Sequence, residues 1–259
     1  MMPSDTQLWL EWLPTAPSTD RPALLFGHYH AKLLQDGVSE ADADEQLVAI
    51  QRLMRTSTDG WQAMFNNIYA SPTPGFSTDP NTLLVSAVEG RTPGRALDVS
   101  TGQGRNAVFL ATQGWDVTAV DISDEGLKLA ARNAERAGVQ IRTVLQSIDA
   151  FDFGTALWDL MVVTYVPVPL TSPAYVTWIS DSLRPAGLLV VESCASDASA
   201  QARRPVDIDP ADLQHAFADF RILHFADTVA MPDWDKQATR LVRFIAEKQR
   251  GPTLASLAD

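Results

Sequence analysis

The chain has 259 residues, of which 46% are hydrophobic, so it can bury a sizeable core and is not a disordered chain. Its 20 Lys and Arg residues against 32 Asp and Glu residues give a formal net charge of −12, which repels phosphate backbones and anionic membranes. We therefore expect neither a nucleic acid nor a membrane as partner. The only cysteine, Cys194, permits no disulfide within the chain, and no Cys/His spacing predicts a metal site. This cysteine usage and the lack of a signal-peptide pattern predict a cytoplasmic protein.

The first 60 residues show no strand pattern, and we expect them to form a helical appendage. Pro22 stands where a first-turn proline belongs and is followed by apolar residues at helical spacing. Ser39, with Asp42 three residues later, predicts the start of a second helix. The Pro-rich stretch 71–81 is predicted to be a junction without regular structure.

From about residue 95, short apolar runs alternate with amphipathic helical stretches, which is typical of repeated βα units. The pattern predicts strands at 96–99, 115–120, 141–145, 160–163 and 188–191, and a closing hairpin of 221–226 and 239–245. It predicts helices at 105–113, 123–138 and 173–183, a short helix after Asp209, and a turn at 185–187. We expect an α/β, Rossmann-like, doubly wound domain over 61–248 with a mostly parallel seven-stranded sheet and an antiparallel closing hairpin, then a flexible tail over 249–259.

The segment from Asp98 to Ala107 carries the clearest chemical signal, because it lies at a predicted strand-to-helix turn. Gly102 and Gly104 let the backbone approach a ligand closely, and the start of the helix offers free N–H groups. This spacing also satisfies the dinucleotide fingerprint. A carboxylate at the end of the first strand would repel a pyrophosphate, so Asp98 favours a ligand with a cationic amino-acid end.

Acidic residues also follow the next two predicted strands. Asp121 ends the second strand, within reach of two ribose hydroxyls in a doubly wound sheet, and its oxygens can accept from both. After the third strand, Ser147, Ile148 and Asp149 offer polar and apolar groups for an adenine ring. For Asp149, an ordinary role as a turn residue is an equal alternative.

These residues resemble those of class I S-adenosylmethionine (SAM)-dependent methyltransferases, and the resemblance covers roughly residues 61–246. Within that superfamily, 102–111 and 114–123 are similar to small-molecule methyltransferases of the tellurite-resistance and thiopurine type. The chain departs from the family at Ser100, where a third glycine is usual, and at Thr101, where Cys or Ser is usual. It also departs at Ser147, in the usual place of the adenine-contacting acid.

The resemblance implies a set of cofactor contacts. It places Asp98 near the methionine amino group, Asp121 on the ribose, and two isoleucines on either side of the adenine. The residues implied to bind SAM are Tyr69, Asp98, Ser100, Thr101, Gly102, Gly104, Asn106, Asp121, Ile122, Ser147, Ile148, Asp149 and Thr164. For Tyr69 a purely structural role is an equal alternative.

Methyl transfer from a sulfonium is an in-line displacement, so a base is needed only if the acceptor must lose a proton. Tyr165, after the fourth strand, is the best placed candidate to act on the acceptor. Its ordinary pKa suits a hydrogen-bond donor that orients the acceptor better than a base. His30 is a second candidate, although its position on the apolar stripe of the first predicted helix is also typical of a core histidine.

We therefore expect SAM-dependent methyl transfer to a small molecule, giving S-adenosylhomocysteine (SAH). The Asn/Asp-Pro-Pro-Tyr signature of many nucleic-acid and protein amine methyltransferases is absent, since the fourth strand continues into Tyr165-Val-Pro-Val-Pro169. Two alternatives stay open: an NAD(P)-dependent Rossmann oxidoreductase and a non-catalytic SAM-binding module. The appendage either covers the acceptor site as a lid or packs on the back of the sheet as extra core.

Overall fold

A computed structural model describes residues 5–17, 22–54, 58–196, 207–233 and 238–250. Within these ranges the chain begins with helices and continues as alternating strands and helices. The first part contains α1 (Asp5–Trp12), a 3-10 helix (Leu13–Thr15), α2 (Pro22–Gln35), α3 (Glu40–Met54), α4 (Thr58–Tyr69) and α5 (Thr82–Val88). The remainder contains β1 (Arg95–Val99), α6 (Arg105–Thr112), β2 (Asp116–Asp121), α7 (Asp124–Arg136), β3 (Arg142–Leu145), β4 (Trp158–Thr164), α8 (Pro173–Ser182), β5 (Leu183–Ala195), β6 (Asp207–Ile208), α9 (Pro210–Ala216), β7 (Phe220–Ala230) and β8 (Thr239–Lys248).

The strands form one sheet in the order β3-β2-β1-β4-β5-β8-β7, and β6 pairs with β5 beside this path. The pairs from β3 to β5 are parallel, whereas β8 is antiparallel to both β5 and β7. The order reverses at β1, where a doubly wound sheet opens its ligand crevice at the carboxyl ends of the strands. The predicted Rossmann-like sheet with a closing hairpin is confirmed.

Two details of the sheet differ from the prediction. The described residues form eight strands rather than seven, because the two-residue β6 pairs with the end of β5. The predicted turn at 185–187 is wrong, since these residues lie within β5, where the register against β4 shifts between Trp158 and Leu160. Ala186 adopts a left-handed φ of 67°, so the local irregularity that Pro and Gly signalled is accommodated inside the strand.

Local sequence explains where the central helices begin. Ser123 caps α7, its side chain accepting a hydrogen bond from the Gly126 amide at 3.0 Å, and this agrees with the predicted helix start. In the appendage, Ser39 Oγ accepts from the Asp42 amide at 3.2 Å at the start of α3, as the predicted cap requires.

The buried apolar residues form three clusters, two on the faces of the sheet and one in the appendage. The appendage cluster joins residues of α1, α2 and α3 to Met64 and Ile68 of α4. Asn67 of α4 also donates to the Leu13 and Ala16 carbonyls at 3.4 and 3.2 Å. Among the described residues, the apolar cluster of the appendage therefore packs on α4. No described helix has the length and apolar character needed to cross a bilayer.

Helix α4 is in turn fixed to the sheet domain. Asn66 Oδ1 accepts from Ser123 Oγ at 2.7 Å, and Asn66 Nδ2 donates to Asp124 Oδ1 at 2.6 Å. These contacts are at the start of α7, directly after the carboxyl end of β2. Consequently α4 connects the appendage to the edge of the sheet where the crevice opens.

Candidate active site

The predicted glycine-rich loop lies between β1 and α6 at the carboxyl edge of the sheet. Ser100, Gly102 and Gly104 have left-handed φ angles of 55°, 55° and 81°. The Thr101 amide donates to the Val120 carbonyl of β2 at 3.0 Å, which holds the loop over the neighbouring strand. Ser100 thus has the conformation that suits the glycine usual in the family, although its Cβ makes that conformation costly.

Asp98 is buried beneath this loop, with 1% of its surface exposed. Its Oδ2 accepts a hydrogen bond from Thr101 Oγ1 at 2.5 Å. Burial raises the pKa of Asp98 to about 7, and the Thr101 bond and the Arg105 charge only partly offset that effect. A cationic group bound here would favour the ionised carboxylate that burial opposes.

Asp121 ends β2 on the other side of the loop and is also buried. Its Oδ2 accepts from the Gly102 amide and its Oδ1 from the Ser123 amide, both at 2.7 Å. Burial raises the pKa of Asp121 against the lowering effect of these backbone bonds. Because each carboxylate oxygen has two lone pairs, both can still accept from a diol.

Tyr69, the last residue of α4, completes this group. A Cβ at Gly102 would overlap the Tyr69 hydroxyl, and a Cβ at Gly126 would lie 3.1 Å from its ring, so the tyrosine fits into a space that two glycines leave. Burial, reinforced by the charge of Asp121, raises the pKa of Tyr69 and keeps its hydroxyl protonated. The structure thus brings Tyr69, Asp98, Gly102 and Asp121 together.

Gly104 has a packing role that the sequence does not reveal. A Cβ at this position would lie 2.7 Å from the Ala130 Cβ and 3.0 Å from its Cα. The loop and α7 therefore approach each other as closely as a glycine permits.

The residues predicted at the adenine end lie after β2 and β3. Ile122 is half-buried, whereas Ile148 is buried within the core cluster on one sheet face, and Ser147 begins the turn that follows β3. Asp149 is exposed, and its Oδ1 accepts from the Tyr175 hydroxyl of α8 at 2.5 Å. Asp149 is therefore held by a neighbouring helix.

On the opposite side of the loop, Asn106 connects α6 to β4. Its Nδ2 donates to Thr164 Oγ1 at 3.1 Å, and its Oδ1 accepts from the Asn81 amide at 2.9 Å. Tyr165 follows with a left-handed φ of 57°, which is uncommon for a tyrosine. Its hydroxyl donates to Glu192 Oε1 of β5 at 2.5 Å.

The structure does not bring His30 together with Tyr165. His30 Nε2 is 3.1 Å from Asp44 Oδ1, so this histidine faces α3 within the appendage. Tyr29 is buried in the appendage cluster, in contact with the rings of Trp9 and Trp12.

Sequence reasoning did not identify Glu192, Tyr175 or Gln103. Glu192 had a signal, since an acidic residue directly after the buried apolar run 188–191 requires a partner. Tyr175 and Gln103 had no such signal. Gln103 Nε2 donates to the Phe76 and Ser77 carbonyls and so fixes the junction onto the loop, a contact that only the folded chain defines.

A family model described as a methyltransferase domain matches residues 96–187. Hemagglutinin 1 of Eikenella corrodens is 26% identical over 163 residues, which are 60% of this chain and 53% of that protein. A probable SAM-dependent methyltransferase, TehB of Haemophilus influenzae, is 31% identical over 83 residues, which are 32% of this chain and 29% of TehB. The chain thus spans about half or less of these relatives.

Solved structures agree with the sheet topology. The crystal structure of TehB from Haemophilus influenzae matches with a TM-score of 0.56 and 19% identity, covering 64% of this chain and 61% of that chain. That of the Burkholderia thailandensis 1,6-didemethyltoxoflavin-N1-methyltransferase, with bound 1,6-didemethyltoxoflavin and SAH, matches with a TM-score of 0.51 and 23% identity, covering 65% and 77%. The resemblance stated from the sequence is confirmed by the family model over residues 96–187 and by the similarity to TehB.

Proposed function

We propose that this chain is a class I SAM-dependent methyltransferase that transfers a methyl group from SAM to a small-molecule acceptor, because residues 96–187 match a methyltransferase domain and part of the chain is similar to TehB. The observation that supports this most strongly is the cluster of Asp98, Gly102, Asp121 and Tyr69 at the point where the strand order reverses. SAM supplies an activated methyl group. The protein therefore has to bind SAM, orient the acceptor behind the methyl group and exclude water.

The two buried carboxylates fit the two polar ends of SAM. In our proposal, Asp98 faces the ammonium group, and a cation there offsets the burial of this carboxylate. Asp121 accepts from the ribose hydroxyls through lone pairs that the Gly102 and Ser123 amides leave available. Tyr69 covers the loop and limits the access of water.

At the adenine end, we propose that Ile122 and Ile148 flank the ring and that Asp149 accepts from its amino group. Tyr175 supports this role, because its hydroxyl occupies one Asp149 oxygen and thereby orients the other. Ser147 and Thr101 contribute backbone groups, and Ser100, Asn106 and Thr164 line the path to the acceptor side.

We propose Tyr165 as the residue that contacts the acceptor. Its position after β4, its left-handed backbone and its bond to a buried carboxylate support this assignment. His30 is now proposed to stabilise the appendage, because it faces Asp44. The same proposal includes a small-molecule acceptor and a cytoplasmic location. It also divides the chain into an appendage over 1–60, a domain over 61–248 and a tail over 249–259. Residues 251–259 of that tail lie outside the described ranges.

Calorimetry with SAM, SAH and NADPH tests the cofactor assignment. We expect SAH to bind and NADPH not to, because a dinucleotide would bring its pyrophosphate to Asp98. Asp121→Ala loses two charge-assisted hydrogen bonds of roughly 1.5–3 kcal/mol each, so it should weaken SAH at least tenfold. Asp116→Ala is the matched control, an exposed aspartate at the other end of β2. Equal SAH affinity in a folded Asp121→Ala protein contradicts the ribose assignment.

The two alternatives predict different outcomes. An NAD(P) oxidoreductase, which the methyltransferase match does not favour, would bind NADPH and would bind it no worse after Asp98→Asn. A non-catalytic module would bind SAM but release no SAH with any acceptor. A screen of small-molecule acceptors with SAH release as readout separates this module from an enzyme.

A further inference from the structure

Arg105 is a cationic residue at the glycine-rich loop whose side chain has no role in the binding of SAM described so far. It follows Gly104 directly and is the first residue of α6. Its side chain is largely buried, with 11% of its surface exposed. A guanidinium group that is withdrawn from water needs partners that carry negative charge or accept hydrogen bonds. The described contacts of Arg105 show how far this requirement is met.

Those contacts use only part of the guanidinium group. Its Nη1 donates to the Asp79 carbonyl at 3.1 Å and lies 3.7 Å from Asp233 Oδ2. The second distance is too long for a hydrogen bond, so Asp233 balances the charge of Arg105 without accepting from it. Within the part of the chain that the structure describes, Nε and Nη2 of Arg105 make no hydrogen bond. These two nitrogens can therefore donate to a ligand.

The charge of Arg105 acts on residues of the candidate site. Burial raises the pKa values of Asp98, Tyr69 and Asp233, and in each case the charge of Arg105 opposes that rise. An effect of this kind falls off with distance, so the guanidinium group lies near all three side chains. Arg105 is thus a neighbour of the carboxylate that we propose for the ammonium group of SAM.

The amino-acid end of SAM makes a demand on the site that Asp98 alone does not meet. In SAM and in SAH, an ammonium group and a carboxylate are attached to the same carbon atom, so the site has to accommodate both. Asp98 and Asp121 are buried acceptors, which suit the ammonium group and the ribose. Both would repel the carboxylate of the ligand. That carboxylate needs a cation close to Asp98.

We propose that Arg105 binds the carboxylate of SAM and SAH while Asp98 binds the adjacent ammonium group, an assignment that rests on the proposed cofactor site. A guanidinium group matches a carboxylate in charge and in shape, because two parallel N–H groups can donate to its two oxygens. Nε and Nη2 form one edge of the guanidinium plane and offer such a pair. Arg105 therefore selects ligands that carry a free carboxylate.

A purely structural role is the alternative for this residue. Arg105 joins α6 to the junction through the Asp79 carbonyl and approaches Asp233, which follows β7. If these contacts were its only role, replacing Arg105 would weaken every ligand of the site equally, whether or not the ligand has a carboxylate. The two roles therefore differ in which ligands a variant affects.

Calorimetry with two ligands that differ in one group separates these roles. SAH has both charged groups, whereas S-adenosyl-3-thiopropylamine keeps the ammonium group and has a hydrogen atom in place of the carboxylate. Arg105→Gln should weaken SAH about tenfold and change the affinity for the amine analogue by less than about twofold. Asp98→Asn should weaken both ligands, because both carry the ammonium group. Arg142→Gln, at the exposed start of β3, is the matched control and should leave both affinities unchanged.

The conservative variant Arg105→Lys supplies the second measurement. It keeps the charge but loses the planar pair of donors, so it should reduce the preference for SAH over the analogue about threefold. If Arg105→Gln does not fold, an unchanged preference in Arg105→Lys overturns the proposal. Equal loss for both ligands, or no loss for either, in folded Arg105→Gln overturns it as well and leaves the cofactor assignment intact. Wild-type protein that binds neither ligand contradicts the proposed cofactor site itself.

Discussion

The buried carboxylate of Asp98 makes SAH affinity depend on pH. The pKa of Asp98 is raised from 3.8 to about 7 by burial in the ligand-free protein. If the ammonium group of SAH binds the ionised form, binding must release the proton that Asp98 holds below that pKa. Affinity should therefore rise with pH until Asp98 is ionised and should then level off.

The size of the effect follows from the fraction of Asp98 that is ionised. That fraction rises from about one tenth near pH 6 to about three quarters near pH 7.5, so the association constant of SAH should rise about eightfold. Calorimetry at both pH values, in buffers of different ionisation enthalpy, measures the affinity and the proton release together. Asp98→Asn should show weaker binding and almost no dependence on pH over this range.

In the ligand-free protein the same pKa shift should lower the stability of the fold as the pH rises, whereas it raises SAH affinity. A carboxyl whose pKa is raised in the folded state lowers stability as the pH rises from about 3.8 to about 7, because the unfolded chain ionises first. Asp98→Asn should therefore increase the Tm of the ligand-free protein at about pH 8 by several degrees. Asp116→Asn, at the exposed start of β2, is the control for both experiments. A pH-dependent affinity that persists in Asp98→Asn refutes the reasoning.

Three further predictions concern the loop and the appendage. Ser100→Gly replaces a serine whose backbone has a left-handed φ of 55°, so we expect the free energy of unfolding to rise by about 1 kcal/mol while SAH affinity stays unchanged. Lower stability in chemical denaturation would contradict this. Gly104→Ala should lower the free energy of unfolding by at least about 2 kcal/mol, and adding Ala130→Gly in a double-mutant cycle should restore part of that loss. A Gly104→Ala protein as stable as the wild type would argue against the close packing of the loop on α7. Deleting residues 1–55 exposes Met64 and Ile68 of α4, so the remainder should aggregate or lose much of its Tm, whereas a soluble fragment with full methyl transfer would contradict an integral appendage.

The sheet domain was predictable because its signals are local and repeated. Uninterrupted apolar runs such as 160–163 and 188–191 are typical of strands buried on both faces, and Ser123 marks the start of α7. Strand ends were less predictable. Pro and Gly at 185–187 indicated a turn, but β5 continues through these residues because it pairs with β4 on both sides of them, at Leu183 and from Leu188 onward, with a register shift between.

The candidate site was predictable where a residue ends a strand and less so where a contact joins distant parts of the chain. Asp98 and Asp121 were found because strand ends of a doubly wound sheet meet at one edge. Glu192 requires the pairing of β5 with β8, which brings Arg243 opposite to it. The role of Tyr69 depends on how α4 packs against α7, which no spacing in the sequence defines.

The most direct test of the central claim is the transfer of a labelled methyl group. The full chain, incubated with SAM that carries a trideuteromethyl group and with a set of small-molecule acceptors, is analysed by mass spectrometry for labelled product and SAH. We predict equal amounts of labelled small molecule and SAH, both reduced at least tenfold in Asp121→Ala and unchanged in Asp116→Ala at subsaturating SAM. SAM binding without labelled product for any acceptor would contradict the account.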